Sequence, residues 1–113
     1  MERIPYEAGE SVEAMEGVHL AQLAAGDRMS VQHFFVEPGD VVPEHSHEHE
    51  QVGFVLEGSG YFIVDGEETF VAEGDSYVLP GGEPHALENR GDVPMTGIDV
   101  FSPPRENPDW AEE

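Results

Sequence analysis

Gly39-Asp40-Val41-Val42-Pro43-Glu44-His45-Ser46-His47-Glu48-His49-Glu50-Gln51 holds three of the chain's six histidines, at alternate positions. On an extended strand, residues two apart point to the same face. The alternation therefore predicts that His45, His47 and Gln51 aim at one point inside a barrel or sandwich. Neutral imidazole is the commonest protein metal ligand, so the stretch reads first as part of a metal site.

Short strand patterns surround it. Val18–Ala24, Met29–Val36, His49–Leu56, Ser76–Leu79, the start at His85–Asn89, and Thr96–Phe101 are rich in β-formers and bounded by Gly/Pro turns. Tyr61–Val64 and Glu68–Ala72 flank Asp65-Gly66, a strong two-residue hairpin signal. Ile4 and Tyr6 are expected on an edge strand, 10–17 as a connection, and Val41-Val42 as a short apolar pair before Pro43. Asn107–Glu113 is a tail or a single helical turn around Trp110. Many short strands with regular turns predict an all-β sandwich or barrel.

The chain has 113 residues, which fits one domain. It has no cysteine, hence no disulfide framework. The absence of a long apolar run and of a signal-like N-terminus predicts a cytoplasmic protein. Its 25 acidic residues against four arginines give a net charge of −21. Such a surface repels nucleic acid and anionic membranes, which excludes both as partners. Apolar segments at strand spacing argue against disorder. The expectation is a folded, acid-covered domain suited to a high-salt cytoplasm, where salt screens self-repulsion.

The stretch 39–58 resembles the first motif of the cupin superfamily, G-x5-H-x-H-x3,4-E-x6-G, with Gln51 where that family usually has Glu. Gly74 to Asn89 resembles the second motif, G-x5-P-x-G-x2-H-x3-N, without departure. The resemblance implies a double-stranded β-helix, or jelly-roll barrel, over residues 1–113. It also implies that His45, His47, Gln51 and His85 converge on one divalent metal. A local bulge would put Glu50 in place of Gln51. Imidazoles plus an amide oxygen suit Ni, Zn, Fe, Mn or Co. A neutral Gln leaves the full +2 on the ion, which favours Lewis-acid work. His49 is expected to face solvent or support a ligand, with a fifth-ligand role as the lesser reading. His19 and His33 are expected to be hydrogen-bonded wall residues, with a place for His33 in the cavity lining as the alternative.

Asp99 and Phe101 share a strand face, and Arg105 follows Pro103-Pro104. Taken alone, these are a structural acid, a core aromatic and a surface cation. Gln51, the run His49–Gly58 and the Asp-x-Phe-x-x-x-Arg ending together resemble the small uronate-linearising cupins of pectin and alginate breakdown, the KdgF type. That resemblance implies catalytic roles for Asp99, Phe101 and Arg105, with a 4,5-unsaturated uronate monosaccharide as substrate and a linear keto sugar as product. A cupin dioxygenase and a non-catalytic metal- or sugar-binding module are the rival readings; oxygenases of this fold usually keep the Glu that Gln51 replaces. Exposed sheet edges predict a homodimer, with the N-terminal strand exchanged.

Overall fold

A computed structural model describes residues 1–105. The tail and the turn expected at Trp110 lie outside these residues. Ten strands follow in order: β1 (Ser11–Met15), β2 (Val18–Ala25), β3 (Ser30–Val36), β4 (Val41–His45), β5 (Glu50–Glu57), β6 (Ser59–Val64), β7 (Glu67–Ala72), β8 (Ser76–Leu79), β9 (His85–Glu88) and β10 (Met95–Ser102). They form two antiparallel sheets, β1-β2-β3-β10-β5-β8 and β4-β9-β6-β7. Val18, Phe34, Val55 and Met95 of the first sheet pack in one core with Phe62, Val71 and Leu87 of the second. This is the expected all-β jelly roll. The hairpin at Asp65-Gly66 turns with φ of 57° and 79°, as its two-residue loop requires. No helix among the described residues is long and apolar enough to cross a membrane.

Three local expectations need correction. Tyr6–Ala8 forms a 3-10 turn, not an edge strand, because Pro5 lacks the N–H that pairing would use. The edge strand is instead Ser11–Met15, inside the segment expected to be a connection; Val12 and Ala14 alternate with exposed Ser11 and Glu13. β4 continues through Pro43 to His45. Proline is tolerated there because β4 is a sheet edge.

A fourth correction concerns the opening stretch. His45, His47 and Gln51 do not share one strand. β4 ends at His45 and β5 begins at Glu50, in the other sheet, so 46–49 is a crossing between sheets.

The inner face of the larger sheet is layered, as the strand registers dictate. Val18, Val36 and Met95 form the lowest rung, and Leu20, Phe34, Gly97 and Val55 the next. Above them Gln22, Gln32, Asp99, Gly53 and Tyr77 lie side by side across five strands. The mouth rung is Ser30, Phe101, Gln51 and Leu79. An apolar floor thus carries a buried polar rung, with a mixed polar and apolar rung at the mouth above it.

Candidate metal centre

Each candidate ligand reaches the mouth by a different route. His45 closes β4 and faces His85, the first residue of β9, across the ladder. His47 lies on the crossing, whose backbone is tied to the second motif by the Gly82 N–H donating to the His47 carbonyl at 2.7 Å. Gln51 enters from β5. The donor nitrogens of His45, His47 and His85 lie within 4.8 Å of one another.

The three rings are oriented in the same way. Nδ1 of His45 lies 3.0 Å from the carbonyl of Pro43, that of His47 3.0 Å from the carbonyl of His49, and that of His85 2.9 Å from the carbonyl of Glu83. A carbonyl can only accept, so each Nδ1 carries a proton, and the neutral ring then presents Nε2 as a bare lone pair. Burial lowers the pKa of His47, and lowers that of His85 to about 4, which keeps both rings neutral. Nε2 of His85 is buried with no partner. Such an orphaned acceptor costs ~1–3 kcal/mol. Nε2 of His47 is 3.1 Å from Oε1 of Gln51, so two acceptors face each other. A cation between them resolves both conflicts, and the donor set fits a divalent transition ion.

Gln51 has a second partner. Its amide donates to the carboxylate of Asp99, which turns Oε1 toward the histidines. A Glu at this position would set two carboxylates together. Gln is the residue that can present an oxygen to the cluster and a donor to Asp99 at once.

Asp99 is almost fully buried. Burial pushes its pKa up to about 6, against the opposing pull of hydrogen bonds from Tyr77 and Gln51 and the charge of Arg105. The Tyr77 hydroxyl donates to Oδ1 at 2.5 Å. Burial, and then the Asp99 charge, raise the Tyr77 pKa well above its ordinary value, so the phenol remains a donor. The guanidinium of Arg105 lies over the Phe101 ring, 5.1 Å from its centre, and its charge reaches His47, His85 and Asp99. Its backbone is pinned by an N–H donated to Ser30 Oγ at 3.0 Å and a carbonyl accepting from Gln22. The site opens into a cavity of about 330 Å³.

Residues 32–101 match the cupin domain family. The chain belongs to the cupin family. Mannose-1-phosphate guanylyltransferase of Escherichia coli K12 is 34% identical over 79 residues, 69% of this chain and 16% of that protein. The tetracenomycin polyketide synthase protein TcmJ of Streptomyces glaucescens is 33% identical over 72 residues, 63% of this chain and 48% of that one. This cupin therefore spans less than half the length of these curated relatives. Among solved structures, KdgF from Halomonas sp. superposes with a TM-score of 0.85 at 23% identity, covering 95% of this chain and 97% of that one. This cupin thus has the small-cupin fold that KdgF has.

The histidines outside the cluster have other contacts. His49 contributes the carbonyl that holds His47, and its ring lies edge-on to Phe101, 6.1 Å between centres. His33 faces outward against Tyr6, and His19 meets Glu37 at 2.9 Å. Neither lines the cavity.

Two residues of the polar rung escape sequence reasoning, Tyr77 and Gln32. Tyr77 reaches Asp99 only because the strand between them carries Gly53. A Cβ on Gly53 would overlap both the Tyr77 hydroxyl end and Asp99 Oδ1. Gly53→Ala is expected to lower stability by ~1–3 kcal/mol, the usual cost of overpacking, and to lower activity with it. Urea unfolding checks this. A midpoint equal to that of the unaltered protein would show that the rung accommodates the methyl group.

Proposed function

We propose that this cupin is a metal-dependent enzyme that opens 4,5-unsaturated uronate monosaccharides to linear keto sugars. The observation that carries the reading is the link made by Gln51. One end of its amide lies 3.1 Å from His47 of the histidine cluster and the other binds a buried carboxyl whose pKa is near 6. An acid–base group therefore sits beside a candidate ion site, with the Arg105 cation acting on both.

A divalent ion held by His45, His47, His85 and Gln51 supplies Lewis-acid polarisation of bound oxygen when present. The rest falls to side chains. Arg105 pairs the sugar carboxylate, offering the fork geometry that carboxylates accept. Phe101 forms the wall on which the ring packs. Asp99 takes the proton of the C1 hydroxyl; the C1–O5 bond breaks, and its electron pair passes through O5 to the alkene. C4 then takes a proton from Asp99, which leaves an aldehyde at C1 and a ketone at C5. No atom is gained or lost. A carboxyl with a pKa near 6 can both accept and return that proton at neutral pH.

The test is metal analysis of the purified protein followed by incubation with unsaturated galacturonate. Loss of the alkene's ultraviolet absorbance is expected, and an unchanged spectrum with the metal-loaded protein would overturn the reading. A second reading has one observation in its favour. The cavity below Asp99 is walled by Met15, Leu20, Phe34, Phe62 and Leu87, which suits a flatter, less polar ligand such as a polyketide. The relative TcmJ belongs to a polyketide synthase. Binding of a polycyclic phenol in preference to the sugar acid would select that reading.

The proposal extends to the assembly and its setting: a single cupin unit, working as a homodimer in a high-salt cytoplasm. Val52, Phe54, Leu56 and Val78 are 39–57% exposed on the outer face of β5 and β8, beside Ile98 and Val100 of β10. This contiguous apolar face lies on a chain of net charge −21. A second copy meeting it through a two-fold axis would pair uncharged surface with itself and keep the carboxylates apart. Light scattering in molar KCl is expected to give twice the chain mass, and Phe54→Glu to give the chain mass. A monomeric mass for the unaltered protein counts against the dimer.

A further inference from the structure

Gln32 belongs to the polar rung, and the proposed mechanism leaves it unused. It is 5% exposed, lies on β3 directly beside Asp99, and lines the same cavity as Gln51, His85 and Arg105. Its Oε1 is buried with no hydrogen-bond partner. Nothing in the fold requires a polar group there, since the same strand face continues as Phe34 and Val36. A buried acceptor without a partner destabilises the empty protein. It is useful only if something else supplies the donor.

We infer that Gln32 binds a hydroxyl of the substrate and sets which sugar acid is accepted. The inference rests on the sugar-acid reading above. Asp99 stands between Gln32 on β3 and the Gln51 end of the mouth rung, so a ligand whose reacting part lies at Asp99 and the histidines extends past it to Gln32. In a 4,5-unsaturated uronate, C4 and C5 carry the alkene, so the hydroxyls left on that side are those of C2 and C3. Oε1 of Gln32 accepts the proton of one of them. A site built to hydrogen-bond a hydroxyl discriminates strongly, because a ligand that misplaces the group leaves both partners buried and unpaired.

The test uses Gln32→Met, close in length but without the acceptor, and Gln32→Leu should the first fail to fold. Thermal midpoints are measured on metal-free protein, and KM and kcat on metal-loaded protein with unsaturated galacturonate and its C2 epimer, the unsaturated sugar derived from mannuronate. The expected result is an unchanged or higher midpoint, with KM for the preferred sugar raised about tenfold or more. The preference between the epimers should shrink, and kcat should change less than KM. A KM within twofold of the original would overturn the inference and leave the sugar-acid reading standing. A lower midpoint with proportionate loss on both sugars would also overturn it, by marking Gln32 as structural. If the unaltered protein turns over neither sugar, the sugar-acid reading falls first and this inference with it.

Discussion

Asp99→Asn is expected to lower kcat on unsaturated galacturonate by ~10²–10⁴, the range for loss of a positioned acid–base group. The substitution keeps the shape of the side chain and one acceptor oxygen. Tyr77 can go on donating to that oxygen, so the fold should survive with little change in its thermal midpoint. The amide nitrogen of the new side chain, however, meets the amide nitrogen of Gln51, where Asp99 now accepts. If Gln51 turns over to relieve this, its nitrogen faces the histidines in place of its oxygen. Metal content must therefore be measured alongside rate. Full metal content with a large loss of kcat assigns the effect to proton transfer. A matching loss of metal would assign it to Gln51, and full activity would remove Asp99 from the chemistry.

The sequence made the site more legible than the strand geometry that builds it. Both histidine motifs were readable as spacing, and the structure brings His45, His47 and His85 together, with Gln51 beside His47. Strand parity does not carry across 46–49, because that segment leaves one sheet for the other. Residues two apart can converge without a shared strand when a crossing returns them to one mouth. Gln32 and Tyr77 were hidden for a related reason. In β3 and β5 the outward residues Val31, Phe35, Val52, Phe54 and Leu56 are as apolar as the inward ones. Hydrophobic alternation then carries no sign, and it does not say that Gln32 and Gly53 point in. The apolar outer face on which a second copy is proposed is thus also what obscures the inner one. Tyr77 needed a further fact, the register that sets Gly53 between it and Asp99. Register is a property of three strands together and is not written in any one of them. The early edge strand was masked differently: Ser11–Met15 spends its outward positions on polar groups, and a five-residue strand leaves few inward ones to notice.

The metal-free protein is expected to gain about 2.7 kcal/mol of stability when a divalent transition ion is supplied at ~100 times its dissociation constant. At 4–8 °C per kcal/mol for a domain near this size, the thermal midpoint should rise by roughly 10 °C or more. The physical source lies in the unliganded cluster. Three rings are held with Nδ1 against backbone carbonyls and their ligand nitrogens close together, and Nε2 of His85 has no partner at all. The fold bears that cost before the ion arrives, so little of the binding energy is spent on arranging ligands. His85→Ala removes a ligand that is 3% exposed and sits opposite His45 on the ladder. It should abolish the ion-dependent rise and bring bound metal close to zero. In the metal-free state the variant also loses the orphaned nitrogen, so its midpoint should fall less than burial of a whole imidazole would imply. Measuring both midpoints, with and without ion, separates a lost ligand from a weakened fold. An undiminished ion-dependent rise in His85→Ala would mean that the ion binds elsewhere, and the cluster would have to be read as three paired wall histidines.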